Sequence, residues 1–265
     1  MKNKNDRERS APENWLPLLN ERCDIDLAFQ ALEGWEHFHT DTNRGRLRSL
    51  QLRPSEAWEF FRKAEDRAGE YSLSRQNMLR RFCLKFYRFE NALIQESDPD
   101  TADPSLTESC LKAVLRDDNS DADLAKQLRS YCRGMYLLHR QRFGEAKKLF
   151  LRLLDQSRDH ATDDRTVFHL AAAVAARCMK DKPVADLQFE YASLSIPVLD
   201  SKFNMGLYGG IAAALLRIWN REGEAAEWDA FLIHLKIPPK TADLFRERSR
   251  RIVERTKSLK RIFLF

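Results

Sequence analysis

Small and aromatic residues recur at a fixed spacing in the second half of this chain. A shift of 39 residues superimposes four pairs of positions that match in kind: Gly134 on Ala173, Ala146 on Ala185, Phe150 on Phe189 and Leu153 on Ala192. In a helical hairpin, a small residue on each helix lets the two axes approach, and an aromatic residue one turn later fills the gap to the next hairpin. Because each hairpin buries its apolar face by stacking on its neighbours, the spacing predicts a row of paired antiparallel helices.

Two weaker copies of the pattern lie outside this pair. A further shift of 39 residues reaches Ala212, Glu224, Trp228 and Phe231. Near the N-terminus, Ala57, Phe61 and Ala64 repeat the small, aromatic, small spacing. The small residue that precedes this copy, Gly34, lies 23 residues before Ala57. In the other copies 12 residues separate the two small residues. We therefore expect a longer loop in the N-terminal copy.

Composition favours helix throughout the 265 residues. Leu and Ala together far outnumber the β-branched residues Val, Ile and Thr, and there are only 9 Gly and 9 Pro. The prediction is an all-α protein in which a first helix, starting at Ile25, lasts until the polar stretch 40–45. The later helices are expected at about 54–68, 79–93, 106–116, 121–140, 145–158, 164–180, 184–195, 200–220, 223–235 and 240–260.

Changes in composition divide the chain into five segments. Residues 1–12 are charged and without apolar periodicity, and we expect them to be disordered. Segment 13–97 is predicted to form N-terminal helical hairpins. The stretch 98–105, with two prolines and three aspartates, reads as a linker or loop. Segment 106–238 carries the repeats, and 239–265 is predicted to be a basic C-terminal capping helix with an apolar tail.

The repeated positions resemble the tetratricopeptide repeat family. They keep that family's spacing within a hairpin, at Gly134, Phe143, Ala146 and Phe150 in one copy and at Ala173, Ala185, Phe189, Ala192 and Pro197 in the next. The resemblance is good over about 75 residues and looser over about 200. The 39-residue period departs from the family's 34, which places extra residues in the loop 158–163. The alternative is an irregular helical bundle whose Ala and Phe residues fill a core.

The resemblance implies an α-solenoid and a docking groove. In that family the first helices of successive hairpins line a concave surface that binds peptides or helices of partner proteins, and members are rarely enzymes. The corresponding positions here are Tyr131, Met135, Leu138, His139, Leu170, Val174 and Arg177. They lack the Lys and Asn with which some members clamp a C-terminal carboxylate, so an apolar peptide or amphipathic helix is the expected partner. Alternatively, these residues belong to the core.

The net charge of the chain is concentrated at its C-terminus. Residues 240–265 contain nine basic and three acidic side chains, a net +6 against +5 for the whole chain. The basic surface predicted there comprises Arg246, Arg250, Arg251, Arg255, Lys257, Lys260 and Arg261. A basic helix of this kind could bind nucleic acid or an anionic surface, which is the alternative function. It could equally be the solvated cap that ends a helical repeat.

Motifs for catalysis, cofactor binding or metal binding are not evident. The sequence contains neither G-x-x-x-x-G-K-[ST] nor G-x-G-x-x-G, and no nucleophile motif of the type G-x-S-x-G. His37 and His39, followed by Asp41, form the one histidine cluster, but residues two apart on a helix point away from each other. We therefore expect no metal, no cofactor and no catalytic site, and interpret the chain as a binding protein, an adaptor, scaffold or regulator.

The cysteines and the hydropathy pattern bear on location. Five cysteines are widely spaced without a C-x-x-C pair, which favours reduced thiols in a cytoplasmic protein. Residues 1–10 lack the apolar region of a secretory signal. The longest uncharged apolar stretch, 206–216, is shorter than the ~20 residues needed to cross a bilayer. The prediction is a soluble cytoplasmic protein without a transmembrane segment.

Overall fold

A computed structural model describes residues 15–96, 103–117, 123–156, 163–195, 201 and 222–262, and within these ranges the ordered elements are all helices. In chain order they are α1 (Trp15–Asn20), α2 (Ile25–Gln30), α3 (Phe38–Leu50), α4 (Pro54–Ala68), α5 (Arg75–Glu96), α6 (Pro104–Leu115), α7 (Asp123–His139), α8 (Phe143–Gln156), α9 (Asp163–Cys178), α10 (Lys182–Ser195), α11 (Glu222–His234) and α12 (Pro239–Ile262). The prediction of an all-α protein is confirmed. No helix in the described ranges is long and apolar enough to span a membrane.

Four helical hairpins turn in the same way. The pairs α3/α4, α7/α8, α9/α10 and α11/α12 each have a left-handed residue in the connection, namely Leu52 (φ 59°), Gln141 (φ 60°), Lys180 (φ 61°) and Lys236 (φ 54°). In each case the next N–H donates to the carbonyl five residues earlier, for example Arg142 N–H to Leu137 O at 2.9 Å. This hydrogen bond closes the C-terminus of the first helix, as in a Schellman motif.

A glycine on the first helix of two hairpins faces a phenylalanine on the second. A Cβ at Gly134 would lie 2.5 Å from Phe150 Cζ, and a Cβ at Gly45 would collide with the Phe61 ring. Gly45 precedes Ala57 by the same interval that separates Gly134 from Ala146. The longer loop inferred from Gly34 is therefore wrong. The equivalent residue is Gly45, because it is the glycine that packs against the aromatic ring.

The chain divides into two compact units. The first comprises Met1–Leu19 and Asp24–Cys132, and the second Asn20–Cys23 and Arg133–Phe265. In the first unit α3 packs against α2, α4 and α5, and α5 also packs against α4 and α6. In the second unit α9 packs between α8 and α10. The helix α7 contributes residues to both units.

The first predicted helix is two helices. α2 ends at Gln30, and α3 starts at Phe38 and contains the stretch 40–45, which we expected to end a helix. Gly34 adopts φ +80°, a conformation that interrupts helix. His37 then caps α3, because its Nδ1 accepts a hydrogen bond from the His39 N–H at 3.0 Å. The polar residues stay in the helix because tertiary contacts enclose them.

The remaining helix predictions agree with the observed bounds to within a few residues, except where the chain is not described. Several predicted segments lie wholly or largely outside the described residues: the disordered segment 1–12, most of the linker 98–105, the loop 158–163 up to residue 162, nearly all of the helix 200–220 and the apolar tail after Ile262. Asp103, the described end of the linker, caps α6 by accepting hydrogen bonds from the N–H groups of Ser105 and Leu106.

Candidate functional site

The predicted groove residues on α7 are half-buried. They are Tyr131, Met135, Leu138 and His139. Tyr131 lies in the first unit, with its ring centroid 6.0 Å from that of Phe86, whereas the other three lie in the second unit. Each of these side chains therefore keeps a partly accessible surface.

The predicted groove residues on α9 differ in their exposure to solvent. Leu170 is 4% exposed, and Val174 and Arg177 are half-buried. The six consecutive residues from Phe168 to Ala173 are all buried, and six residues cover more than a full turn. α9 is thus enclosed on every side along this stretch, so Leu170 belongs to the core of the second unit and offers little surface to a ligand.

The basic surface predicted on α12 is partly neutralised within the chain. Arg246 forms ion pairs with Asp229 at 3.4 Å and Asp243 at 2.9 Å. Arg250 and Arg251 both bind Glu247, and their hydrogen bonds lower the pKa of that carboxyl to about 2. The side chains of Arg255, Lys257, Lys260 and Arg261 lie outside the described residues. The described arginines therefore present less free positive charge than the sequence suggests.

An exposed apolar ridge on α10 was missed by the sequence analysis. Leu187, Tyr191 and Leu194 are 44%, 46% and 66% exposed and follow one another at four and three residues, so they share one face of the helix. The opposite face packs inside the unit through Ala185, Gln188, Phe189 and Ala192. Asp186 and Glu190 lie along one edge of the ridge. The available signal was that α10 has large apolar residues on both of its faces.

Buried polar residues lie along α3. Eight residues of this helix are buried, and five of them are polar: Thr40, Asp41, Thr42, Asn43 and Ser49. Ser49 donates a hydrogen bond to Asn91 Oδ1 on α5, and Asn91 Nδ2 donates to the Pro54 carbonyl at 3.0 Å. These bonds connect α3 to α4 and α5. Buried polar groups in such number are unusual unless they are hydrogen-bonded or functional.

Asp41 is the charged centre of this cluster. Its carboxylate pairs with Arg67 at 2.6 Å and with Arg44 at 3.3 Å. Burial raises the pKa of Asp41, although both arginines act in the opposite direction. Arg44 also donates to the Leu32 carbonyl. The carboxylate therefore serves as the shared partner of two arginines and connects α3 to α4.

His37, the N-cap of α3, and His39, in its first turn, are held neutral. Burial is the largest cause that lowers the pKa of each ring to about 4, and the positive charge of Arg80 lowers it further. The His37 ring also lies against Tyr71, with centroids 4.4 Å apart. Among the described residues no three His, Cys, Asp or Glu side chains are grouped as metal ligands. The sequence pattern indicated this cluster only as a candidate metal site, because Arg80, whose charge acts on both rings, is far away along the chain.

Three of the five cysteines have little nucleophilic character. All five are free thiols, and burial raises the pKa of Cys83, of Cys110 to about 11, and of Cys132 well above its ordinary value. A thiol reacts through its thiolate, and burial disfavours that form. These three side chains therefore act as small apolar groups of the core.

Comparisons with protein-family models, with curated proteins and with solved structures find no match to this chain.

Proposed function

We propose that the protein is a non-catalytic scaffold or adaptor that holds a helix of another protein. In this proposal the hairpins stack as in a tetratricopeptide-like solenoid. The observation that carries the proposal is the α10 ridge of Leu187, Tyr191 and Leu194. Large apolar residues spaced at i, i+4 and i+7 form the stripe with which one helix packs against another. The half-buried groove residues of the second unit, Met135, Leu138, His139, Val174 and Arg177, are proposed as additional contacts.

The edge of the ridge indicates the chemistry of the partner. Asp186 and Glu190 are one turn apart, and neither forms an ion pair with a described residue. A partner helix with an apolar stripe and a basic residue beside it would cover the ridge and pair these carboxylates. Charge complementarity of this type raises the association rate and fixes the register of the complex.

Photo-crosslinking from the ridge tests this function. A photoreactive benzoylphenylalanine at position 194, in cells that express the protein natively, is expected to form a covalent adduct with one partner protein. The same group at position 148, an exposed site on α8, should not form this adduct. Substituting Leu187→Lys and Tyr191→Lys should remove the adduct while changing the free energy of unfolding by only about 0.5 kcal/mol, as exposed substitutions do. Equal adducts at positions 194 and 148, or none at either, would contradict the proposal.

Two matched truncations separate groove residues from core residues. Leu170→Ala is expected to lower the free energy of unfolding by about 2 to 5 kcal/mol, because Leu170 is 4% exposed. Met135→Ala, at a half-buried position, should have a smaller effect and leave the circular dichroism spectrum unchanged, but weaken the position-194 adduct. Urea unfolding and the crosslinking yield measure the two quantities. If Met135→Ala unfolds the protein as strongly as Leu170→Ala, then Met135 is a core residue.

A further inference from the structure

The C-terminal end of α12 has an apolar pattern that matches the α10 ridge. α12 continues as a helix to Ile262. Within residues 252–265, here called the basic segment, Ile252 is followed at seven and eleven residues by Leu259 and Phe263. Residues at these intervals share one face of a helix. The sequence of the basic segment therefore predicts an apolar stripe that fits along a second helix.

The basic segment also carries charge opposite to that beside the ridge. It has one acidic and four basic side chains, a net charge of +3, and the basic ones are Arg255, Lys257, Lys260 and Arg261. Helical spacing from Ile252 places Arg255 on one edge of the stripe and Lys260 on the other. One of these two residues therefore faces the carboxylates of Asp186 and Glu190, whichever way the segment runs along α10.

The two carboxylates beside the ridge are available for such a contact. Glu190 is exposed and Asp186 is half-buried, and neither forms an ion pair with a described residue. By contrast, Asp181 at the start of the same helix pairs with Lys147 on α8 at 2.7 Å. The acidic edge of the ridge is therefore a charge that the described part of the chain leaves for a partner.

A second α10 ridge is a poor occupant of the first. In an antiparallel pair of α10 helices related by a two-fold axis, like edges face each other, so the acidic edge of one copy lies against that of the other. In a parallel pair the acidic edge faces the opposite edge, where Val184 and Ser195 carry no charge. The ridge therefore requires a different and basic surface as its partner.

The ridge is uncovered in a single chain. α12 is one uninterrupted helix from Pro239 to Ile262, and in the same structure Leu194 on the ridge is 66% exposed. A second copy of the chain supplies the basic segment without any break in this helix.

We propose that the basic segment of one copy docks on the α10 ridge of a second copy. The contact joins two different surfaces, and two copies that exchange their segments reciprocally form a closed dimer. The inference rests on the proposed function of the ridge as a surface that docks a helix. It makes self-association a regulator of that function, because the segment and the partner helix compete for one ridge.

Charge reversal in the full chain tests the contact. Asp186→Lys with Glu190→Lys makes the edge of the ridge basic, and Arg255→Glu with Lys260→Glu makes the edges of the stripe acidic. Each double variant alone should self-associate at least about tenfold more weakly than the wild type in sedimentation equilibrium, because like charges then face each other. An equimolar mixture of the two should associate again, since each ridge then meets a segment of opposite charge.

A control variant separates this contact from a general effect of net charge. Glu59→Lys with Asp66→Lys, at two exposed positions on α4, changes the net charge as the ridge variant does and should associate as the wild type does. The inference is overturned if the purified wild type is a monomer at every concentration. It is also overturned if the mixture of folded charge-reversed variants associates no better than each variant alone.

A crosslink in the otherwise unaltered chain covers the case in which a charge-reversed variant fails to fold. Benzoylphenylalanine at position 194 of the purified protein should form a chain-to-chain adduct, and mass spectrometry should place the crosslink within residues 252–265. A crosslink elsewhere in the second copy, or none, overturns the inference. If the purified protein gives no such adduct but position 194 captures another protein in cells, the inference fails and the proposed function stands. If neither adduct forms, both fail.

Discussion

Phe150→Ala is expected to lower the free energy of unfolding by about 3 to 5 kcal/mol, the range for truncating a buried aromatic side chain. Phe150 is fully buried, and its ring fills the space above Gly134, with the Phe168 ring centroid 6.3 Å away. Phe189→Ala, at the equivalent position of the next hairpin, should have an effect of the same size. Urea unfolding followed by circular dichroism measures both. Leu194→Ala, at an exposed position on α10, is the control and should have almost no effect.

A double-mutant cycle shows whether the ring and the glycine act together. Gly134→Ala alone should destabilise the protein by about 1 to 3 kcal/mol, because the new Cβ would overlap the Phe150 ring. In a Phe150→Leu background the same change should be much less harmful, or stabilising by up to about 1 kcal/mol, since alanine favours helix. Gly69→Ala is the control, because nothing lies near its Cβ position and its φ is −62°. Additive effects of Gly134→Ala and Phe150→Leu would contradict close packing of this pair.

Stability is expected to fall on acidification from about pH 6.5 to pH 4. His37 and His39 have a pKa of about 4 in the folded protein, against an ordinary value of 6.5. Between these values the unfolded chain binds protons that the folded protein does not, so the free energy of unfolding decreases as the pH falls. The shift of each ring corresponds to at most about 3 to 4 kcal/mol. Asp41, whose pKa burial raises, acts in the opposite direction and offsets part of this loss.

Histidine variants test the assignment of this pH dependence. His37→Asn keeps an oxygen that can cap α3, and combined with His39→Gln it removes both titrating rings. The double variant should lose much of the slope of unfolding free energy between pH 6.5 and pH 4 in urea titrations. His234→Gln removes an exposed histidine and should leave the slope unchanged. If the double variant keeps the wild-type slope, other groups cause the acid sensitivity. His169, whose pKa burial also lowers, would then be the next group to test.

The helices and hairpins followed from local spacing. Ala146, Phe150, Ala185 and Phe189 were assigned to packed faces, and all four are buried. The alignment on Gly34 was wrong: Gly45 lies before Ala57 at the interval that the other copies keep, and it is the glycine that the Phe61 ring covers. The proposed ridge on α10 was missed for a related reason. Two apolar faces were visible in its sequence, and the packing of Phe189 decided which face is enclosed.

The largest difference between the expected and the observed fold is at the polar first turns of α3. A run of Thr, Asp, Thr and Asn favours caps and turns when only local hydrogen bonds are considered, so we expected a helix to end there. In the structure these residues are enclosed by α4, α5 and the loop between them, whose partners lie far away in the sequence. Asp41 pairs with Arg67, and Ser49 with Asn91. Such pairings have no periodicity that a single sequence could display.

The sequence alone determined that the chain is helical and where most helices lie, because helix propensity and apolar periodicity act over a few residues. It also determined the intervals at which small and aromatic residues meet. Tertiary structure decided which polar residues are buried, which apolar face of α10 is exposed, and that the charge of Arg80 acts on His37 and His39. Burial and electrostatics depend on distances between residues remote in sequence, and those distances exist only once the helices have packed.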